Sequence, residues 1–335
     1  MKAAWYDRRG AAAEVLLVGQ MDDPIPGPGD VRIRVRASGI NPGETGKRSG
    51  AGAAMPFPRV IPHSDGAGVI DAVGPSVPQN RVGERVWCFG AQSYRPFGTA
   101  AELVVVPAWQ AVPIPAGVSF EQGACLGIPG ITAHRAVFAD GLVTDQTLLV
   151  VGAAGAVGSM ATALARWGGA RVLALVRHER DTDLARKAGA EQVFVATHPD
   201  LTSRIRAAAP DGVNRIIDVA FATYAQLYAD IIAQGGTIAS YSSSHPTPPI
   251  PFWPLLFLNT TIRLLGSDDF QPDAKRQAAE DINSWLRQVR PPFDITTFPL
   301  DEIATAHETV ERRATRGRIV LIPKGDDRRS LGSSF

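Results

Sequence analysis

TLLVVGAAGAVGSMATALARWGG, residues 147–169, reads as a strand, a glycine turn and a helix. Residues 148–151 form a short apolar run of the kind buried inside a parallel sheet, and the run breaks off at Gly152. Gly152, Gly155 and Gly158 follow at G-x-x-G-x-x-G spacing, with only alanines and Val157 between them. Small residues let main-chain amides approach a pyrophosphate closely, and the helix that follows aims its N-terminal dipole at the same anion. Val157, Met160, Ala161 and Leu164 recur at helical spacing, which gives this helix one face for a sheet. A glycine pattern alone is a weak signal. Between such a strand and such a helix it points to dinucleotide binding rather than a plain turn, with Gly152, Ala153, Gly155, Ala156, Val157 and Gly158 as candidate cofactor contacts.

Downstream the same alternation continues. Strand-like runs at 171–177, 192–197, 215–220, 236–243 and 261–267 are separated by mostly helical stretches, which predicts a doubly wound parallel sheet. One helix is expected from near Asp181 to Gly189. Another is expected across AQLYADIIAQGG, with Gly235 as its C-terminal cap. Residues 272–290 read as an amphipathic helix, and the chain ends in a helix, Gly317, a strand and a polar tail, GDDRRSLGSSF, expected to be loosely held.

Upstream, to about Pro115, the chain is strand-like. VRIRVRASGI, residues 31–40, alternates Val31, Ile33 and Val35 with three arginines, as a half-buried antiparallel strand does. Further β runs at 68–74, 81–89 and 99–107 predict a small barrel or rolled sheet. The expected division is a β-rich part, 1–122 with 268–335, and a dinucleotide-binding part, 123–267.

A net charge of +1 removes any composition-level case for nucleic acid or an anionic membrane as main partner. Cys88 and Cys125 offer neither a disulfide framework nor a metal spacing, so a reducing cytoplasm is the simplest home. The N-terminus places Asp7, Arg8 and Arg9 before any apolar region, unlike a secretory signal. The least polar window, 148–165, carries three glycines and a strand-then-helix pattern, so no membrane span is expected.

Several separated stretches resemble the medium-chain dehydrogenase/reductase superfamily and, within it, the zinc-independent NADPH:quinone oxidoreductase (zeta-crystallin-like) branch. GINPGETGKRSG, residues 39–50, is similar to that branch's G-x-N-P-x-D-x-x-x-R-x-G, with Glu44 for the aspartate; IPHSDGAGVIDAVG, residues 61–74, is similar to P-G-S-D-x-A-G-x-V-x-x-V-G, with His63 where glycine is usual. GERV, FGTAAE, the glycine turn and GRIVLIP follow in family order. The resemblance implies an α/β protein: a GroES-like catalytic domain around an inserted Rossmann domain, with NADPH in the cleft between them and homodimers formed through edge strands, for which PFWPLLFLNTTIRLLG, residues 251–266, is apolar enough. It also offers Asn41 as an orienting polar group near nicotinamide and substrate. The competing reading of Asn41 is an Asn-Pro turn residue.

Alcohol dehydrogenases of the same superfamily use zinc as a Lewis acid. Their ligand positions align with Ile40–Asn41 and with Ser64, and the four-cysteine lobe is missing, so no metal is expected; His63, Asp65 and Cys88 make a poor substitute site. Without a Lewis acid, reduction of a quinone or an α,β-unsaturated carbonyl suits the chain better than alcohol oxidation, because the charge delivered with hydride spreads over a conjugated system. Glu44 and Arg48, one helical turn apart, are expected to pair as a structural brace. Relatives often place an aromatic where Gly52 stands; Tyr94 and His63 are weak substitutes for its proton-donor role.

Where an NAD site places an acid at the end of its second strand, this chain reads Val176-Arg177-His178-Glu179-Arg180. Arg177 and Arg180 suit a 2′-phosphate, so NADPH is the expected cofactor; the alternative is a solvated helix start. Relatives' lysine and tyrosine in this region are replaced by Asp181 and Ala196. Tyr241, at the end of GTIASYSS, completes the candidate cofactor set. Two other functions stay open here: an alcohol or enoyl-thioester oxidoreductase of the same superfamily, and an NADPH-binding sensor or structural protein without turnover.

Overall fold

The computed structural model describes residues 1–50 and 54–323, which leaves Gly52 and the GDDRRSLGSSF tail outside the described residues. The described residues fold as two compact units: those of Met1–Ile128 with those from Asp294 to Pro323, and those of Pro129–Phe293.

In the first unit, β1 (Lys2–Trp5) and β2 (Leu17–Gln20) form an antiparallel pair. Next come β3 (Asp30–Gly39), β4 (Asp65–Val73), β5 (Arg85–Cys88), β6 (Leu103–Pro107) and β7 (Ala111–Pro113). Val31, Ile33 and Val35 of β3 point inward against Ile70, Val86 and Val104, as the alternation predicts. Its arginines are more than a solvated face, since Arg32 Nε and Arg34 Nη2 converge on the Asp71 carboxylate of β4 at 2.8 and 2.9 Å. The run expected at 99–107 becomes a strand only from Leu103, because the amides of Thr99 and Ala100 are taken by the carbonyls of His63 and Pro62.

The second unit is a six-stranded parallel sheet: β8 (Thr147–Val151), β9 (Arg171–Val176), β10 (Gln192–Val195), β11 (Val213–Asp218), β12 (Ile232–Ser240) and β13 (Thr261–Leu264). The order β10-β9-β8-β11-β12-β13 reverses direction between β8 and β11, and ligands of such sheets bind at the carboxyl ends of the strands beside that reversal. Leu149, Val151, Leu173, Leu175, Ile216 and Ile238 pack one face of the sheet against Phe221 and Tyr228. The expected helix over AQLYADIIAQGG ends early, at Ile231. Gly235 is no cap: it sits inside β12 at φ +71°, with its amide on the Leu258 carbonyl, and the chain has already turned into sheet at Ile232.

Helix Pro272–Leu286 also lies in the second unit, whereas 268–335 was expected with the β-rich part. Its amphipathic face explains the difference: Ile282 packs against Gly130, and Asp281 Oδ2 meets His134 Nε2 at 2.8 Å. The chain then returns to the first unit as β14 (Ile295–Pro299) and β15 (Arg318–Ile322), which extend the β3 sheet in the order β14-β15-β3-β4-β5-β7.

Candidate functional site

In the second unit the glycine turn joins β8 to helix Ala156–Trp167. Gly152 adopts φ +71°, where a Cβ would meet Val219 Cγ1 at 2.7 Å. A Cβ on Gly158 would stand 2.2 Å from the Gly152 carbonyl oxygen, so helix and strand approach as only glycine permits. The helix starts at Gly155 with no side-chain cap, which leaves the first-turn amides of Ala156, Val157 and Gly158 for an anion. This is the cradle a dinucleotide pyrophosphate needs.

The remaining cofactor candidates fall on the same edge of the sheet. Val151 pairs with Leu175 of β9, and Arg177 emerges two residues later, exposed, with Arg180 in the single turn Glu179–Asp181. The positive charge of Arg177 reaches Tyr224, whose phenol is raised chiefly by burial and lowered in part by that guanidinium. Tyr241 is half-buried beyond the end of β12, with its amide donating to the Asp218 carbonyl at 3.1 Å. Asp218, Tyr228 and Ser240, a buried cluster beside this edge, were not singled out from the sequence. The signal was one acid closing the apolar run of RIIDVA.

In the first unit, four separate segments build a buried polar cluster. Asn41 is the N-cap of helix Pro42–Ser49, and its amide donates to Glu44 Oε2 at 2.8 Å. The Ser64 amide donates to Glu44 Oε1 at 2.6 Å. Asn41 Nδ2 donates to Asp65 Oδ2 at 2.7 Å, Ile128 N–H to Asp65 Oδ1 at 2.8 Å, and Arg318 Nη2 to Asn41 Oδ1 at 2.9 Å. Burial raises both carboxyls; that of Asp65 is pushed up to about 7, with the Glu44 charge as the second cause. Asn41 is therefore buried and held on both ends of its amide. These contacts fix its side chain between Asp65 and Arg318.

The expected Glu44–Arg48 pair does not form. Glu44 is committed to main-chain donors, while the fully buried Arg48 turns away to the Gly10 carbonyl and the Glu311 carboxylate. Tyr94 is exposed. His63 is fully buried at φ +77°, which explains why a glycine suits this position. Its Nδ1 meets Ser38 Oγ at 2.9 Å, and its Nε2 meets His307 Nε2 at 2.9 Å; Ser38 Oγ is also 2.8 Å from Thr99 Oγ1, which donates to the Asp65 carbonyl at 2.6 Å. Burial lowers both imidazoles, His307 to about 3.

The donor set does not fit zinc. Burial holds the thiols of Cys88 and Cys125 up at about 12 and about 11, Asp65 and Glu44 accept from amides, and no group of three or more His, Cys, Asp or Glu side chains among the described residues is arranged for a metal ion.

A β-rich unit completed by returning strands, together with a parallel sheet of this order, makes up the medium-chain dehydrogenase/reductase fold. Two family profiles match in the corresponding places: the alcohol dehydrogenase GroES-like domain over residues 27–116 and the zinc-binding dehydrogenase domain over 156–283. A mouse quinone oxidoreductase is 29% identical over 89% of this chain and 91% of its own. A quinone oxidoreductase from Pseudomonas aeruginosa is 30% identical over 92% of this chain and 96% of its own. A mycobacterial protein solved in complex with NADPH superposes with a TM-score of 0.82 at 27% identity, covering 96% of this chain and all of that one (100%). The chain belongs to the quinone oxidoreductase family of the medium-chain dehydrogenase/reductase superfamily and is an oxidoreductase of that type.

Proposed function

We propose that the protein is an NADPH-dependent, zinc-independent reductase of quinones or α,β-unsaturated carbonyls. The observation that carries this reading is the uncapped glycine cradle with Arg177, rather than an acid, at the end of the neighbouring strand. NADPH, when bound, supplies the hydride. The first-turn amides of Ala156, Val157 and Gly158 hold the pyrophosphate, and Gly152, Ala153 and Gly155 let the main chain come close enough to do so. Arg177 and Arg180 hold the 2′-phosphate, with Tyr241 beside the same strand ends. Asn41 orients its loop through Asp65 and Arg318. A conjugated acceptor delocalises the charge it receives, so a chain without Lewis-acid ligands serves it by placing the reactants.

Steady-state oxidation of NADPH and NADH against a small panel of quinones and an enone, with and without a chelator, tests this. Expected is acceptor-dependent turnover that prefers NADPH and survives chelation. NADPH fluorescence changes without turnover would instead identify a binding protein, and loss of turnover on chelation would overturn the metal-free reading.

The same reading makes the protein a homodimer. β13 ends the sheet, and Trp253, Phe257 and Leu264 beside it are 65%, 72% and 77% exposed, next to a groove of about 270 Å³ lined by Ile250, Phe252, Leu255 and Leu256. Leu264→Glu is expected to convert the dimer to monomer in light scattering. Among the described residues no helix is long and apolar enough to cross a membrane. Two free, buried cysteines agree with a cytoplasmic home.

A further inference from the structure

We propose that Asp218 is a positioning residue for the dinucleotide: its carboxylate ties three chain segments into the wall against which the glycine turn rests. Ala220 N–H donates to Asp218 Oδ1 at 2.7 Å and Ser240 Oγ–H to Oδ2 at 2.6 Å, while the Tyr228 hydroxyl donates to Oδ1. The Asp218 carbonyl accepts the Tyr241 amide. One fully buried side chain thus fixes the turn after β11, helix Phe221–Ile231 and the end of β12. Val219 lies in the turn between Asp218 and Ala220 and packs onto Gly152 so closely that a Cβ there would be 2.7 Å from it. Any shift of the 218–220 turn therefore moves the floor of the glycine turn. Burial raises the Asp218 carboxyl and the three donors lower it. Such a group costs free energy to bury, and what it secures here is the carboxyl edge of the sheet.

The inference rests on the NADPH reading, and its test separates the two. Wild type, Asp218→Ala, Asp218→Asn and Ser240→Ala are titrated with NADPH by fluorescence, and their kcat and KM are measured with one quinone. Asp218→Ala is expected to raise Kd and KM for NADPH at least about tenfold while kcat at saturating NADPH stays within about threefold. Asp218→Asn should restore Kd to within about threefold of wild type, because Oδ1 can still accept from Ala220 and Tyr228 and the amide can donate to Ser240. Ser240→Ala, which loses one tie and leaves the carboxylate in place, should fall between them and serves if Asp218→Ala does not fold. Equal affinity in all four overturns the positioning role. So does an Asp218→Asn defect as large as that of Asp218→Ala, which would show that charge rather than geometry matters. A wild-type protein that binds no NADPH overturns the cofactor reading, and the positioning role with it.

Discussion

The glycine turn of the second unit and the polar cluster of the first hold their chains in opposite ways. At the turn, Gly152 and Gly158 act by lacking side chains, and both lie within one short stretch of sequence. In the cluster, Asn41, Glu44, Asp65 and Arg318 act through side chains, and Arg318 reaches Asn41 from 277 residues away. A site made of main chain tolerates changes in surrounding chemistry but no added atoms. A site made of buried charge tolerates modest changes in shape but no missing partner.

Arg318→Met gives the sharpest contrast. It leaves the Asn41 side-chain carbonyl without its donor and the buried Asp65 carboxyl without the nearby positive charge, and should cost about 3–5 kcal/mol in urea denaturation, while NADPH affinity of the folded fraction changes little. Gly158→Val should do the reverse: NADPH binding by fluorescence weakens more than about a hundredfold, because the new side chain enters the space of the Gly152 carbonyl, with a smaller loss of stability. If both variants lose stability and binding in equal proportion, the distinction between the two regions fails.

The first unit contributes two opposed arms to the pH dependence of stability. Asp65 is raised from 3.8 to about 7, so the stability tied to its neutral form is complete below pH 3.8 and is lost as pH rises through about 7. His307 is lowered from 6.5 to about 3, so its contribution is complete above pH 6.5 and is lost as pH falls toward 3. His307→Gln keeps a donor toward His63 and removes the titrating ring. It should flatten the acid arm by on the order of 2 kcal/mol in denaturation curves taken between pH 7 and pH 4. The smallest effect is expected at the exposed edge of the second unit. Arg177→Ala should lower the preference for NADPH over NADH by about tenfold in kcat/KM, and an unchanged ratio would remove that guanidinium from cofactor selection.

The same contrast explains what the sequence could reveal. The strand–turn–helix around the glycines and the alternation of β3 are short-range patterns that the structure shows, and Arg177 follows the end of β9, exposed. Glu44 and Arg48 show where short-range reasoning stops. Their i,i+4 spacing favours a pair on an isolated helix, but the Asn41 and Ser64 amides claim Glu44, and Glu311, 263 residues away, claims Arg48. Gly235 failed for a related reason: a glycine after a helical run is a fair cap, unless the residues just before it, here from Ile232, are wanted by a sheet. Asp218 stood in plain view at the end of an apolar run, yet two of its three partners lie in later elements.

The contacts from Thr99 to His307 fix where each hydrogen resides. Thr99 spends its hydroxyl proton on the Asp65 carbonyl, so Ser38 must give its own to Thr99, and His63 must then donate from Nδ1. Neutral His63 is left with a bare Nε2, which obliges His307 to donate from its Nε2 and keep a lone pair on Nδ1. The two rings are opposite tautomers, set by one peptide oxygen at the far end of the row. Nitrogen-15 spectra should therefore show two imidazoles with inverted shift patterns, and a reversal at either ring would require every hydrogen in the row to move together.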